Sequence, residues 1–476
     1  MDIQKLFFPV DKPLTIPNLG SSYLKCTNDQ LRFLSEKNLK CSLEIQYGYS
    51  QPLSATPVYF TDIISANIIC KGEDVRTRVE MFLNVKNLNL QYLPGDSIGI
   101  LPKNPKIEVE AILTLLGLDK IADDHVEITL EDGGKVPSKK KVPVHLPKCT
   151  TIRNLFETCL DIRAIIKKSL IRTLLEYTTN GTEKRRLEEL CSKEGSSEYN
   201  KHILEKSTCI LDFLQSFPSC KPPLSVIIVH LPRLTPRAYS IASSPFVHPD
   251  SIRIVLNLIQ DSRGRNGICT SWLYEKASHL LDLSNHFNAL SLQNNAEENK
   301  IPIFLRKHSK FRIPMSLGSP LIMIGPGTGL APFIGFLEHI NKQWDNENNT
   351  SSLNNILLFG CRFKDRDYIF KEDLKLYYNK KVLNKFLVCF SRETNVEEKE
   401  KYVQDLFKKE KYTLIEYLMK SDTYIFVCGD ALNMAKDVHD AIIDCIIDVH
   451  GIPREEAILV LQNLEKEGRY VRDVWR

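Results

Sequence analysis

A chain of 476 residues is long enough for two or three domains with ample core. Its 43% hydrophobic and 26% charged residues are an ordinary globular balance, and a net charge of +4 is too small to point to nucleic acid or a membrane surface. No run approaches the ~20 apolar residues of a membrane span, the segment Met1–Val10 has too short an apolar core for a signal peptide, and thirteen scattered cysteines without a CxxC pair suggest neither a disulfide framework nor a metal site. The cytoplasm is the default setting.

Residues 1–55 are polar and irregular, with Pro13, Pro17, Gly20, Gly48 and Pro52, and read as a linker or arm. From 56 the pattern turns to strands. Val79, Met81, Leu83 and Val85 alternate before Gly95-Asp96-Ser97-Ile98, and Ile252, Ile254, Leu256 and Leu258 alternate again. These predict half-buried antiparallel strands of a small barrel spanning 56–316. Residues about 105–232 interrupt it with helical spacing, as in Ile152, Leu155, Phe156, Cys159 and Leu160, or Ile203, Leu204, Ile210, Leu211 and Leu214. The basic runs Lys139-Lys140-Lys141 and Lys184-Arg185-Arg186 read as solvated faces. The stretch 283–300, rich in Asn and Glu, reads as a mobile loop.

The region 317–476 has a different rhythm. Pro320-Leu321-Ile322-Met323-Ile324 leads into Gly325-Pro326-Gly327-Thr328-Gly329, after which Phe333, Ile334, Phe336, Leu337 and Ile340 keep helical spacing. Strand, glycine turn and helix is the geometry that sets backbone N–H groups and a helix N-terminus against a pyrophosphate. Asn355–Phe359, Lys385–Phe390 and Thr423–Val427 repeat the apolar strand, and amphipathic helices follow. That alternation predicts a parallel sheet covered on both faces, with ligands beyond the carboxyl ends of its strands.

A glycine turn alone is weak evidence, since a minority of such turns are only tight connections. Two upstream segments weigh against that reading here. Arg237-Ala238-Tyr239-Ser240 offers a guanidinium for a diphosphate, a ring to pack on an isoalloxazine and a hydroxyl for its edge. Gly267-Ile268-Cys269-Thr270, just before a helix, offers another N-terminal phosphate cradle. Beyond the third strand of the region, Ser391 and Arg392, then Tyr402, Val403 and Gln404, could surround a 2′-phosphate; no carboxylate stands there to accept ribose hydroxyls, so NADPH is favoured over NADH. Thr328 and Arg362 are candidate pyrophosphate contacts.

The order of these motifs, with Gly360-Cys361-Arg362, Ser391-Arg392-Glu393 and Val427-Cys428-Gly429-Asp430-Ala431, resembles the ferredoxin–NADP reductase-like module of the diflavin reductases over roughly residues 55–476. The resemblance implies an antiparallel FAD-binding barrel with a helical connecting insertion, followed by a parallel-sheet NADPH-binding domain. It implies that Arg237, Ala238, Tyr239 and Ser240 hold FAD, and that Gly267, Ile268, Cys269 and Thr270 hold its pyrophosphate. Arg76 falls at a basic cofactor contact, and Asp437 at a nucleotide-proximal acid that reads equally well as a helix-surface residue. Ser240, Cys428 and Asp473 fall where relatives assist hydride transfer, although Cys428 also suits a tight turn. Trp475, by composition a frayed end or an interface anchor, resembles the aromatic that covers the flavin. Relatives often carry a basic residue two before the tyrosine; here Lys401 directly precedes Tyr402 and is not carried over. Ala238 replaces a common aromatic, so packing on the flavin is expected to be looser.

Within the family, Ile162–Ile165, Glu183–Lys193 and Phe217–Cys220 look most like the branch whose acceptor is cobalamin-dependent methionine synthase. Diflavin reductases begin with a flavodoxin-like FMN domain, for which the residues before Val58 are too few. FMN and its domain, or a flavodoxin-like acceptor, are therefore expected to be supplied separately. Alternatives are a cytochrome or sulfite reductase flavoprotein-like reductase, or a non-catalytic chaperone module for a cobalamin enzyme.

Overall fold

A computed structural model describes the strand Leu31–Ser35 and residues 54–475, apart from 55, 131–142, 144, 145, 148, 262, 282–299, 309, 315, 317, 347–352, 394–399 and 421. The expected loop at 283–299, the lysines Lys139–Lys141 and Arg476 lie outside the described residues. In chain order the strands are β1 Leu31–Ser35, β2 Tyr59–Thr61, β3 Ile63–Cys70, β4 Arg78–Asn84, β5 Ser97–Ile100, β6 His125–Leu130, β7 Cys149–Thr151 and β8 Arg237–Ser240. Then follow β9 Ser251–Asn257, β10 Ile301–Arg306, β11 Leu321–Ile324, β12 Ile356–Cys361, β13 Lys385–Phe390, β14 Tyr424–Asp430 and β15 Tyr470–Trp475.

One compact unit comprises residues up to 57 with 101–237 and 260–272. Its helices include Lys106–Leu116, Lys168–Leu174, Gly181–Cys191, Ile210–Ser216 and Leu224–His230. They bury Phe156, Phe213 and Phe217 together with Leu113, Ile171 and Leu187. Ile152–Asn154 opens a helical turn whose Thr151 side chain accepts the Asn154 N–H at 3.1 Å, and Leu155–Cys159 widens into a π-turn. Two expectations change. The insertion is not purely helical, because it carries β6 and β7; and the arm contains β1, antiparallel to β6 with Phe33 opposite Ile128. A strand whose partner is about a hundred residues away leaves little local signature, which is why composition alone missed it.

The second unit holds 58–100, 238–259 and 273–476. It contains the sheets β2-β10-β5-β8 and β3-β4-β9 and the five-stranded sheet β13-β12-β11-β14-β15. On β4 the expected alternation holds, with Val79, Met81 and Leu83 fully buried. β9 departs from it, since Arg253 and Val255 on its other face are buried too. The helix Ala331–Asn346 covers that face: Val255 packs with Ala331, and Arg253 Nη2 donates to Glu338 Oε1 at 2.9 Å. Glu338 also accepts the Ser244 N–H at 2.6 Å and lies 3.2 Å from His248 Nε2.

All four neighbour pairs of the five-stranded sheet are parallel. β11 and β12 are buried along their whole length. Phe311, Phe333, Phe336 and Phe426 pack on one another at ring separations of 5.1–6.0 Å. A separate cluster contains Phe407, Ile415, Ile442 and Ile446. From β11 the chain steps to β12 and β13 on one side, then returns to β14 and β15 on the other. The order therefore reverses between β11 and β14, and a doubly wound sheet binds its ligand in the crevice at that point.

Glu338→Leu should cost ~3–5 kcal/mol by leaving the Arg253 guanidinium buried without its carboxylate. Urea unfolding of the variant measures it, and an unchanged midpoint would show that Glu80, 3.5 Å from Arg253 Nη1, is partner enough.

Candidate functional site

Three side chains meet where the sheet order reverses. Cys428 near the carboxyl end of β14 stands opposite Asp473 of β15 in the parallel register. Ser240, at the end of β8, donates its hydroxyl to Asp473 Oδ2 at 3.0 Å. Cys428 is fully buried; burial and then the Asp473 charge push its thiol well above the ordinary range, against a hydrogen bond with Ser240 that acts the other way. The thiol is therefore neutral near pH 7. Trp475, two residues beyond Asp473, shares its face of β15 and is 41% exposed, and its carbonyl accepts the Ala431 N–H at 2.9 Å. The half-buried His308, with its basicity depressed by burial, also feels the Asp473 charge.

The glycine turn adjoins this group. Gly327–Leu330 form a 3₁₀ turn that runs directly into the helix Ala331–Asn346. A Cβ on Gly329 would sit 2.2 Å from the Cys428 carbonyl oxygen, so no side chain fits there. Gly327 has φ of +59°, a conformation that favours glycine, and a Cβ there would stand 3.7 Å from the buried Arg78 Nη2.

Toward β12 and β13 the site becomes cationic. The backbone ties Arg392 N–H to the Arg362 carbonyl at 3.0 Å and Ser391 N–H to the Cys361 carbonyl at 2.9 Å. Arg362 Nη1 donates to the Asp74 carbonyl at 2.6 Å. Burial first, then the positive charges of Arg392 and Arg76, lower the basicity of Arg362. Three guanidinium groups that repel one another in one place suit an anion. The exposed Tyr402 precedes the helix Val403–Lys409, where Val403 is buried and Gln404 half-buried. Thr328 Oγ1 accepts from Asn257 Nδ2 at 3.1 Å, and Asp437 is exposed in the first turn of Met434–His450.

Of the expected flavin residues in this unit, Ala238 is exposed and Tyr239 half-buried on β8. The others belong to the first unit. Arg237 Nη1 donates to the Thr235 carbonyl at 2.8 Å and its hydroxyl at 2.6 Å, which leaves the rest of its donor fork for a diphosphate. Gly267 immediately precedes the helix Ile268–Lys276, whose Ile268, Cys269 and Thr270 are buried. Ser271 Oγ donates to the Gly267 carbonyl at 2.7 Å, and the first N–H groups of the helix have no acceptor within it. Such a helix start fits a pyrophosphate. Among the described residues no His, Cys, Asp or Glu group could hold a metal, and no helix is long and apolar enough to cross a membrane.

Sequence reading passed over Arg78, Asp367 and Asn257. Arg78 and Asp367 form a buried ion pair at 3.3 Å beneath these turns. An arginine at an alternating strand position reads as a surface residue, and only its placement against a second layer shows otherwise.

Residues 51–272 match the family model described as FAD binding domain, and residues 323–440 match that described as oxidoreductase NAD-binding domain. The two together define the FAD- and nicotinamide-binding half of a flavoprotein reductase. The chain is similar to methionine synthase reductase of Rattus norvegicus, at 38% identity over 90% of this chain and 62% of the relative. The corresponding proteins of Homo sapiens and Mus musculus are 36% and 37% identical over 97% of this chain, covering 66% and 67% of their lengths. The chain belongs to the methionine synthase reductase family, and it spans about two thirds of the length of these relatives.

Cys428 should resist iodoacetamide in the native protein at pH 8 and react once the chain is unfolded, because only the thiolate attacks. Peptide mapping by mass spectrometry reads the modification. Rapid native labelling at Cys428 would overturn its assignment as a buried, neutral thiol.

Proposed function

We propose that this chain binds NADPH and FAD and passes electrons from the first through the second to a one-electron acceptor, most specifically in the reductive reactivation of cobalamin-dependent methionine synthase. The observation that carries the reading is the Ser240–Asp473–Cys428 group at the sheet's switch point, with Arg362 and Arg392 following strands of the same sheet and Arg76, between β3 and β4, close enough for its charge to act on Arg362. FAD, when bound, accepts a hydride and releases electrons singly.

The chain's own part is to bind and orient. Arg237, Ala238 and Tyr239 hold the flavin, and the helix start at Gly267–Thr270 takes its pyrophosphate. Ser240 directs its proton to Asp473, and Asp473 balances positive charge that develops nearby. The neutral Cys428 thiol keeps a second anion out of this pocket. Trp475 covers the reacting face and yields to the nicotinamide. Thr328 and Arg362 take the nucleotide pyrophosphate, with Arg76 beside them. Ser391, Arg392, Tyr402 and Gln404 take the 2′-phosphate, with Val403 packed beneath and Asp437 at the rim.

The names of the relatives and the FAD- and NAD-binding matches support this class of reaction, and the relatives' name is the support for methionine synthase as the acceptor. An FMN-containing domain or flavodoxin-like protein stands between FAD and that acceptor in this reading, and the setting is the cytoplasm.

The purified protein should be yellow and bleach anaerobically on addition of NADPH. A flavin-loaded protein whose visible spectrum ignores NADPH would sink the proposal. Separately, Arg392→Ala should raise the KM for NADPH ~10-fold or more, the worth of one charge-assisted phosphate contact, while barely changing that for NADH. Equal weakening toward both nucleotides would show that Arg392 does not read the 2′-phosphate.

A further inference from the structure

The two phosphate-facing turns are joined beneath the surface by a chain of polar side chains centred on Arg78. This β4 residue is 7% exposed, and Asp367, in the turn after β12, is 1% exposed. Asp367 Oδ1 accepts the backbone N–H groups of Arg362 at 3.0 Å and Phe363 at 2.7 Å. Arg78 reaches the same group from the other side, with Nη2 3.3 Å from Asp367 Oδ2 and Nη1 2.9 Å from the Asp367 carbonyl. Its third nitrogen, Nε, donates to Asn257 Oδ1 at 3.3 Å, and Asn257 Nδ2 donates to Thr328 Oγ1 at 3.1 Å. Unbroken hydrogen bonding thus runs from the glycine turn, through an antiparallel strand pair, to the backbone that carries Arg362. Arg78 Nη2 also lies 3.7 Å from where a Cβ on Gly327 would stand.

Charge gives this chain a second consequence. A wholly buried carboxylate is costly unless it is hydrogen-bonded and paired with a cation. With Arg78 in place that pairing comes from below, and Arg362, whose Nη1 donates to the Asp74 carbonyl, keeps further donors of its fork for an anion. Arg362 also feels the Asp367 charge, and its backbone N–H rests on that carboxylate, so without Arg78 its guanidinium is a cation at hand to answer it.

We propose that Arg78 is a positioning residue for the nucleotide. It holds the Gly325–Leu330 and Cys361–Arg362 turns in the separation a pyrophosphate needs and keeps Arg362 available to it. The inference rests on the nucleotide reading of the same site. It assigns to Arg78 the affinity for the part common to NADPH and NADH, leaving discrimination of the 2′-phosphate to Arg392.

The test compares steady-state kinetics of the FAD-loaded protein with NADPH and NADH. Arg78→Met should raise both KM values by a similar factor of ~10, with kcat within about twofold and the NADPH/NADH preference retained. Arg78→Lys should recover part of the loss. Asn257→Ala, which cuts the link to Thr328 while leaving the ion pair, should shift both KM values the same way by about threefold and keeps the test open if Arg78→Met fails to fold. Unchanged KM values in folded, flavin-loaded variants, accompanied only by a lower Tm, would reduce the pair to a structural contact and overturn the inference. A loss confined to NADPH would overturn it too. Wild-type protein that does not oxidise NADPH at all would instead overturn the functional reading, and the two failures are distinguishable.

Discussion

A methyl group on Gly329 would lie 2.2 Å from the Cys428 carbonyl oxygen, and much of the site follows from that exclusion. The glycine turn can approach β14 this closely only because its backbone carries no side chain there. The same contact fixes the start of the helix Ala331–Asn346 and the depth at which Cys428 is buried. The register of β14 with β15 then places Asp473 beside the thiol and Trp475 two residues farther along the same face. One close approach thereby brings the glycine turn, a buried thiol and a carboxylate into a single neighbourhood.

The sheet order divides that neighbourhood electrostatically. On the β14–β15 side burial and Asp473 hold Cys428 neutral. On the β12–β13 side Arg362, Arg392 and Arg76 crowd together and depress the basicity of Arg362. With β11 and its glycines between them, the crevice has one end that carries a hydroxyl, a neutral thiol and a carboxylate, and another that is cationic. A nicotinamide dinucleotide has matching ends, a reactive ring that turns cationic on oxidation and a phosphate-rich adenosine. In the proposed reading the polarity of the crevice, more than any single contact, decides which way round the nucleotide lies.

The legible parts of the chain were those with local causes. Apolar runs ending in glycine marked β11 and its turn, and β12, β13 and β14 followed the same rhythm, because a strand buried on both faces is apolar throughout. Ser240, Cys428 and Asp473 were reached through motif order rather than periodicity, since residues 240 and 473 share no local pattern. Arg78 and Arg253 went unread for a physical reason. Each occupies the polar phase of an alternating antiparallel strand, which in a sheet with one solvated face would point to water. A second layer covers that face here, so both arginines are buried and paired.

The sequence by itself determined the class of each half, the glycine turn and the family, because these rest on patterns within a strand and the helix that follows it. It could not determine β1, which exists only through β6, nor the strand order that sets β14 beside β11. Those outcomes, like the burial of Arg78 against Asp367, depend on which surfaces meet across hundreds of residues. Side-chain charge and hydrogen-bonding capacity are written in the chain, but the dielectric and the partners that give them their effect are supplied only when the layers close.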